Sequence, residues 1–115
     1  MARLVAIVAL LGSTMSASWA ADWQGHWKVI STGGIPYYIT LSANGRADST
    51  LERGFAGSWE EKDGRAYITF ASGWKAILFE DHGVIMKSAF KPGRSFLDKP
   101  NSVTPAGRIE AIPQQ

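Results

Sequence analysis

The stretch IPYYITLSANGRADSTLER, Ile35–Arg53, decides the fold, because it contains two strand-like runs joined by Asn44-Gly45. In the first run apolar side chains recur at every second position, as they do in a strand with one buried face. Asn and Gly both adopt positive φ at low cost, which the two-residue type I′ turn requires. The stretch therefore predicts a β-hairpin with a type I′ turn at Asn44-Gly45.

The same pattern recurs along the rest of the chain. Asp63-Gly64 and His82-Gly83 each separate two strand-like runs, and no segment after residue 20 shows a sustained 3.6-residue period. Turn signals follow one another roughly every ten residues, as in meandering β-domains. Since closing such a sheet removes its exposed edges, we predict an all-β domain, a single small antiparallel up-and-down β-barrel of about seven or eight strands.

The first 20 residues have the pattern of a signal peptide. Arg3 precedes an unbroken apolar run, LVAIVALL, and Ser18-Trp19-Ala20 ends the segment with small residues. The run is much shorter than the roughly 20 residues that span a bilayer as a helix, so we expect cleavage after Ala20 and no stable membrane anchor. The barrel domain is expected at residues 21–112, with a frayed tail at 113–115. The mature protein is expected to be secreted or periplasmic.

Composition limits the classes of partner. The chain has 12 basic and 10 acidic residues, and the bases are scattered among the acids, whereas nucleic-acid binders cluster their Lys and Arg. We therefore expect no nucleic-acid partner. The chain contains no cysteine, so no disulfide supports the domain and apolar packing must stabilise it.

No set of residues predicts catalysis or metal binding. The two histidines, His26 and His82, stand beside glycines in turn-like positions, with no second ligand at metal-binding spacing. The acidic pairs at 60–61 and 80–81 lie next to turns, and adjacent residues on a strand point to opposite faces, unlike the facing carboxylates of glycoside hydrolases. We expect no catalytic residue, no metal and no cofactor, and a protein that is not an enzyme.

Gly25-His26-Trp27 stands at the start of the first predicted strand. A Gly-x-Trp at this place in an up-and-down antiparallel chain resembles the calycin group, which includes lipocalins, avidin-like proteins and small bacterial metalloprotease inhibitors. The resemblance implies that Trp27 plugs one end of the barrel, where Gly25 lets the chain approach closely. It also implies that an arginine, Arg108 or less well Arg94, packs across the indole. The chain departs from these families in being shorter than a typical lipocalin and in lacking their cysteines.

The run Trp74–Phe79 is apolar on both faces. In an antiparallel sheet one face packs on the core, so the second apolar face requires its own cover. Either a partner chain or the tail from Phe96 onward covers it, and the tail is the favoured interpretation.

Two functions from different classes remain open. One is a lipocalin-like binding module that takes a small apolar or aromatic ligand in the open end of the barrel through Tyr37, Trp59 and Trp74. The other is a protein-interaction module, such as an inhibitor of an exported protease, acting through its N-terminal residues and a rim loop at 54–57. Side chains either fill a barrel of this size or leave room for one small ligand, so its interior decides between the two.

Overall fold

The computed structural model describes residues 23–51 and 55–114, which form one antiparallel sheet of nine strands. In chain order the strands are β1 (Gly25–Ile30), β2 (Pro36–Leu41), β3 (Arg46–Ser49), β4 (Phe55–Lys62), β5 (Arg65–Phe70), β6 (Lys75–Asp81), β7 (Val84–Phe90), β8 (Ser102–Pro105) and β9 (Gly107–Ile109). The predicted signal peptide lies outside the described residues. Within them, no helix is long and apolar enough to cross a membrane.

Each strand from β1 to β7 pairs with the strand that follows it, and β9 returns to pair with β1. All eight pairings are antiparallel. The sheet therefore curls into a nearly closed barrel, which confirms the predicted all-β, up-and-down antiparallel architecture.

The last two strands close the barrel as one split strand. Only Ala106 separates them: β8 pairs with β7, where Thr104 faces Lys87, and β9 pairs with β1, where Arg108 faces Trp27. The Thr104 hydroxyl also donates to the Ile30 carbonyl of β1 across 3.1 Å. The nine strands thus occupy eight positions around the barrel.

Pro100 and Pro105 favour an extended surface segment without a strand over residues 95–105. The structure differs, because Ser102–Pro105 is β8. Pro105, however, is the last residue of β8, where a missing N–H removes no bond from the interior of the sheet.

Alternating side chains from the strands fill the interior. The fully buried ones include Val29, Ile39, Leu41, Ile68 and Leu78. The outer face is covered in part as well: Phe96, from the connection between β7 and β8, meets the rings of Tyr67 and Phe90 edge-on at 5.0 and 5.7 Å. Ile77, on the outer face of β6, is 6% exposed. Phe96 therefore packs on the outer face beside Ile77, whose strand neighbour is Tyr67, in agreement with the favoured interpretation of Trp74–Phe79.

The central hairpin is present, but its turn is not of type I′. Asp63 and His82 have positive φ, as do the glycines after them, so these two turns have the primed geometry. Asn44 is not among the residues with positive φ, whereas Gly45 has a φ of 87°. The Ser42 carbonyl accepts a bond from Gly45 N at 3.0 Å, and Ser42 N donates to the Arg46 carbonyl at 2.9 Å. This is a three-residue loop, a type I turn followed by a left-handed glycine.

The pairing of β2 with β3 explains why the loop has three residues. In the observed register Leu41 faces Ala47, and both side chains are buried inside the barrel. A two-residue loop would shift the pairing by one residue and set Leu41 opposite Asp48, which lies on the other face. Burial of the strand thus overrides the local turn preference.

We predict that Gly45→Val lowers the free energy of unfolding by about 1 kcal/mol or more, because a β-branched residue is strained at positive φ. The space itself is adequate, since a Cβ on Gly45 would lie 3.7 Å from the nearest atom, the Trp59 carbonyl oxygen. Thermal denaturation measures the effect. Gly45→Asn is the matched control, because Asn tolerates this conformation, and it should melt close to the unmodified protein. Equal melting temperatures for the Val and Asn variants would contradict the assignment.

Candidate functional site

The two ends of the barrel are built differently. At the turn end, which carries the turns at 42–45, 63–64 and 82–83, the connections between strands are short. At the loop end, which carries the segments 31–35, 71–74 and 91–101, the connections have four to eleven residues. The two ends also differ in packing: side chains close the turn end, whereas a cavity lies at the loop end.

Two tryptophans and an arginine close the turn end. Trp27 is 2% exposed, and its Nε1 donates to the Trp23 carbonyl at 2.9 Å. The two indole rings lie 5.5 Å apart. The Arg108 guanidinium carbon lies 4.4 Å from the centre of the Trp27 ring, and its Nη1 donates to the Gln24 carbonyl at 2.7 Å.

Gly25 makes this contact with Arg108 sterically feasible. Its φ is +126°, and a Cβ at this position would lie 2.8 Å from Arg108 Nη1. A side chain there would therefore both strain the backbone and displace the guanidinium. The other arginine named from the sequence, Arg94, donates instead to the Lys99 carbonyl at 3.0 Å in the connection before β8.

A cavity of about 170 Å³ lies inside the loop end. Six apolar side chains contribute to its wall: Leu51, Phe55, Phe70, Trp74, Ala76 and Ala89. The remaining lining residues are Ser31, Thr32, Gly33, Tyr37, Ser49, Lys75 and Lys87. We call this space the barrel cavity.

The barrel cavity brings together two of the three residues named for ligand binding. Tyr37 and Trp74 line it, whereas Trp59 does not. Trp59 lies toward the turn end, where its Nε1 donates to the Ser42 carbonyl at 2.8 Å. Because β4 already begins at Phe55, Phe55 takes the wall position and Trp59 lies four residues, roughly 13 Å, farther along the strand.

The rim loop named for a protein-interaction module is not a loop over most of its length. Phe55, Ala56 and Gly57 belong to β4 and pair with residues of β3, and Gly54 lies outside the described residues. The reason is the length of β4, which extends across eight residues and begins at Phe55.

Lys87 is the residue that sequence reasoning missed. It lies on β7 among the lining residues of the barrel cavity and is 1% exposed. Its Nζ donates to the Tyr37 hydroxyl at 3.0 Å. Burial lowers the pKa of Lys87 to about 8, because the charged form loses its hydration, and raises the pKa of Tyr37 to about 12 for the same reason.

No carboxylate compensates the Lys87 charge within the described part of the chain. The ion pairs there are Arg46 with Asp48 and His82 with Asp81, both on the surface. An ammonium has three N–H donors, and the bond to Tyr37 uses one. The Nζ also lies 4.9 Å from the centre of the Tyr37 ring. Lys87 is thus a buried cation with two N–H donors for which the described residues provide no further acceptor.

The outer face of β7 shows how the inward position of Lys87 could have been predicted. Lys87 alternates with Met86 and Ser88, so one of the two sets must point inward. Once the Phe96 segment is known to cover the outer face over Phe90, the even-numbered positions lie outside and Lys87 must enter the barrel. Taken alone, a lysine in a strand is assigned to solvent.

Other polar groups do not assemble into a second centre. Among residues 23–51 and 55–114, no three His, Cys, Asp or Glu side chains are grouped as a metal site would need. His26 Nδ1 bonds the Thr40 hydroxyl at 2.8 Å, and His82 Nδ1 bonds Asp81 at 2.6 Å in an exposed turn. A scan against protein-family models and searches of curated proteins and of solved structures find no match to this chain.

We predict that Trp27→Ala lowers the free energy of unfolding by about 3–5 kcal/mol, because it leaves a cavity in the core. Arg108→Ala should lower it by about 0.5–1 kcal/mol through loss of the cation–π contact. Denaturant unfolding of the single and double variants should show that the effect of Arg108→Ala becomes smaller when Trp27 is absent, because only the bond to the Gln24 carbonyl then remains to be lost. Arg94→Ala is the matched control and should be additive with Trp27→Ala. Additivity of Arg108 with Trp27 would show that the contact contributes nothing.

We predict that Lys87→Met raises the free energy of unfolding at pH 7 by about 1–3 kcal/mol, because the gain from removing a buried charge exceeds the loss of the hydrogen bond to Tyr37. The folded-state pKa of Lys87 lies below its unfolded value of 10.5. The unfolded state therefore binds more protons between about pH 8 and 10.5, and the unmodified protein gains stability as the pH rises through this window.

The advantage of Lys87→Met should accordingly shrink above pH 8. Tyr37 acts in the opposite direction only above its ordinary pKa of 10.0, because its folded-state pKa is raised. Denaturant unfolding of both proteins between pH 6.5 and about 9.5 isolates the lysine. A constant difference over that range would mean that Lys87 does not titrate as a buried amine.

Proposed function

We propose that this chain is a non-enzymatic, lipocalin-like binding module that holds a small apolar or aromatic ligand in the barrel cavity. The observation that carries the proposal is the space inside the loop end, about 170 Å³. An apolar protein cavity of roughly 150 Å³ admits a benzene molecule. The barrel cavity is therefore large enough for one aromatic ring or a short aliphatic chain.

The chemistry of the wall supports the same ligand class. Phe55 and Phe70 provide apolar surface from β4 and β5, and Leu51 and Trp74 provide it from the connections after β3 and before β6. A few polar groups, among them Tyr37 and Ser49, interrupt that surface, as in sites that orient a small molecule. None of the described lining residues is a histidine, an acid or a cysteine.

Two further features support a calycin-like exported barrel. The Gly25-x-Trp27 motif lies at the closed end with Arg108 against the indole, which is the arrangement that the resemblance implies. The apolar run and small residues within the first 20 positions support export to the periplasm or the medium. We favour ligand binding over a protein-interaction module because the interior retains free space at one end.

The proposal predicts that toluene binds the protein and that Ala89→Leu weakens this binding at least tenfold, because the larger side chain occupies the barrel cavity. Isothermal titration calorimetry measures the affinity, and the NMR shift of the Trp74 indole N–H reports the place of binding. Ala56→Leu is the matched control: Ala56 is exposed on β4, so the same substitution there should leave the affinity unchanged.

Ala76 lies opposite Ala89 in the pairing of β6 with β7. Ala76→Leu provides a second filling variant if Ala89→Leu folds poorly, and thermal denaturation verifies that each variant is folded. Failure of toluene to bind the unmodified protein, or equal binding by the filled variants, would contradict the proposed function.

A further inference from the structure

The inner part of the barrel cavity contains a cation without a counterion in the described residues. Lys87 enters from β7 and is 1% exposed, and its hydrogen bond there goes to the Tyr37 hydroxyl. A buried ammonium whose donors lack acceptors is destabilising, and a ligand that supplies an anionic acceptor removes that penalty. The site is therefore prepared for a negative group.

The other charged and titratable groups around the cavity do not offset Lys87. The titratable lining residues besides Lys87 are Tyr37 from β2 and Lys75 from β6. Lys75 belongs to the set of β6 positions that face outward, and its Nζ donates to the Arg94 carbonyl at 3.0 Å. Lys75 is thus half-buried and held at the outer rim of the cavity, whereas Lys87 is fully buried beside the Tyr37 hydroxyl. Lys87 is therefore the cation that a ligand inside the cavity would meet.

Tyr37 provides a second donor to the same place. Its hydroxyl oxygen accepts from Lys87 Nζ, so its own hydrogen is free to point at a neighbouring acceptor. Because burial raises the pKa of Tyr37 to about 12, the hydroxyl keeps its proton throughout the physiological range. An ammonium and a phenol side by side present donors to one carboxylate.

We propose that the ligand of the barrel cavity is a small monocarboxylate, whose carboxylate accepts hydrogen bonds from Lys87 and Tyr37 and whose apolar body packs against Phe55, Phe70 and Trp74. This inference rests on the proposed function and adds the chemical class of the ligand. The cavity volume of about 170 Å³ limits the body to a single ring or a short chain.

Benzoate and benzamide test the inference, because they share a ring and a similar size but differ in charge. Calorimetric titration at pH 7 should show benzoate binding at least tenfold more tightly than benzamide to the unmodified protein. Lys87→Met should abolish that preference, so that benzoate binds no better than benzamide. Lys62→Met is the matched control: Lys62 is exposed at the end of β4, so this variant loses the same charge and should keep the preference.

Proton uptake provides a readout that a merely structural lysine would not change. A bound anion favours the charged form of Lys87 and raises its pKa, so benzoate binding near pH 8 should draw protons from solution. Titrations in two buffers of different ionisation enthalpy measure this uptake. Benzamide should cause none, and Lys87→Met should eliminate the uptake with benzoate.

The outcomes separate this inference from the one on which it rests. If toluene and benzamide bind, but benzoate is not preferred and no protons are taken up, the proposal of a monocarboxylate ligand is wrong and the proposed function stands. Failure of all three compounds would overturn both. If Lys87→Met does not fold, the presence or absence of proton uptake in the unmodified protein decides the matter.

Discussion

Pairing of the C-terminal segment with both edges of the sheet is the constraint on which the rest of the structure depends. β8 pairs with β7 and β9 pairs with β1, so the break at Ala106 lets one short segment serve two partners. Without it β1 and β7 would both present unpaired backbone groups, which favour association with other chains. The same closure also encloses an interior, and it places Arg108 beside Trp27 and Thr104 beside Ile30.

The enclosed interior has two regions, one filled by apolar side chains and one that contains free space and a buried charge. Toward the turn end, indole rings and aliphatic side chains fill the space, and the Trp23 and Trp27 N–H groups donate to backbone carbonyls. Toward the loop end the small residues Ala76, Ala89 and Ser49 leave space, and the ammonium of Lys87 is buried beside that space. The stability of the first region balances the free-energy cost of the second, because a desolvated cation is tolerated only where other packing holds the fold.

The sequence predicts the fold better than the site, and particular residues show why. Alternation and turn residues depend on neighbours in the chain, so the antiparallel meander and the primed geometry at Asp63-Gly64 follow from them directly. The geometry of the turn at Asn44 does not follow from the turn residues, because the loop length is set by the need to bury Leu41 opposite Ala47. The buried position of Lys87 is more difficult to predict from the sequence, because it depends on Phe96 covering the outside of the same strand. The displacement of Trp59 from the cavity depends on where β4 begins.

Closure by the last strands also determines the order in which the fold can be completed. Arg108 bonds a carbonyl 84 residues earlier in the sequence, and β1 acquires its second neighbour only when β9 arrives. Consecutive hairpins can form early because their contacts are local, but the final pairing carries the loop-closure entropy of almost the whole domain. During synthesis the edge of β1 therefore stays unpaired until the C-terminal segment emerges. This is the period in which the chain is most exposed to pairing with another copy or to capture by a chaperone.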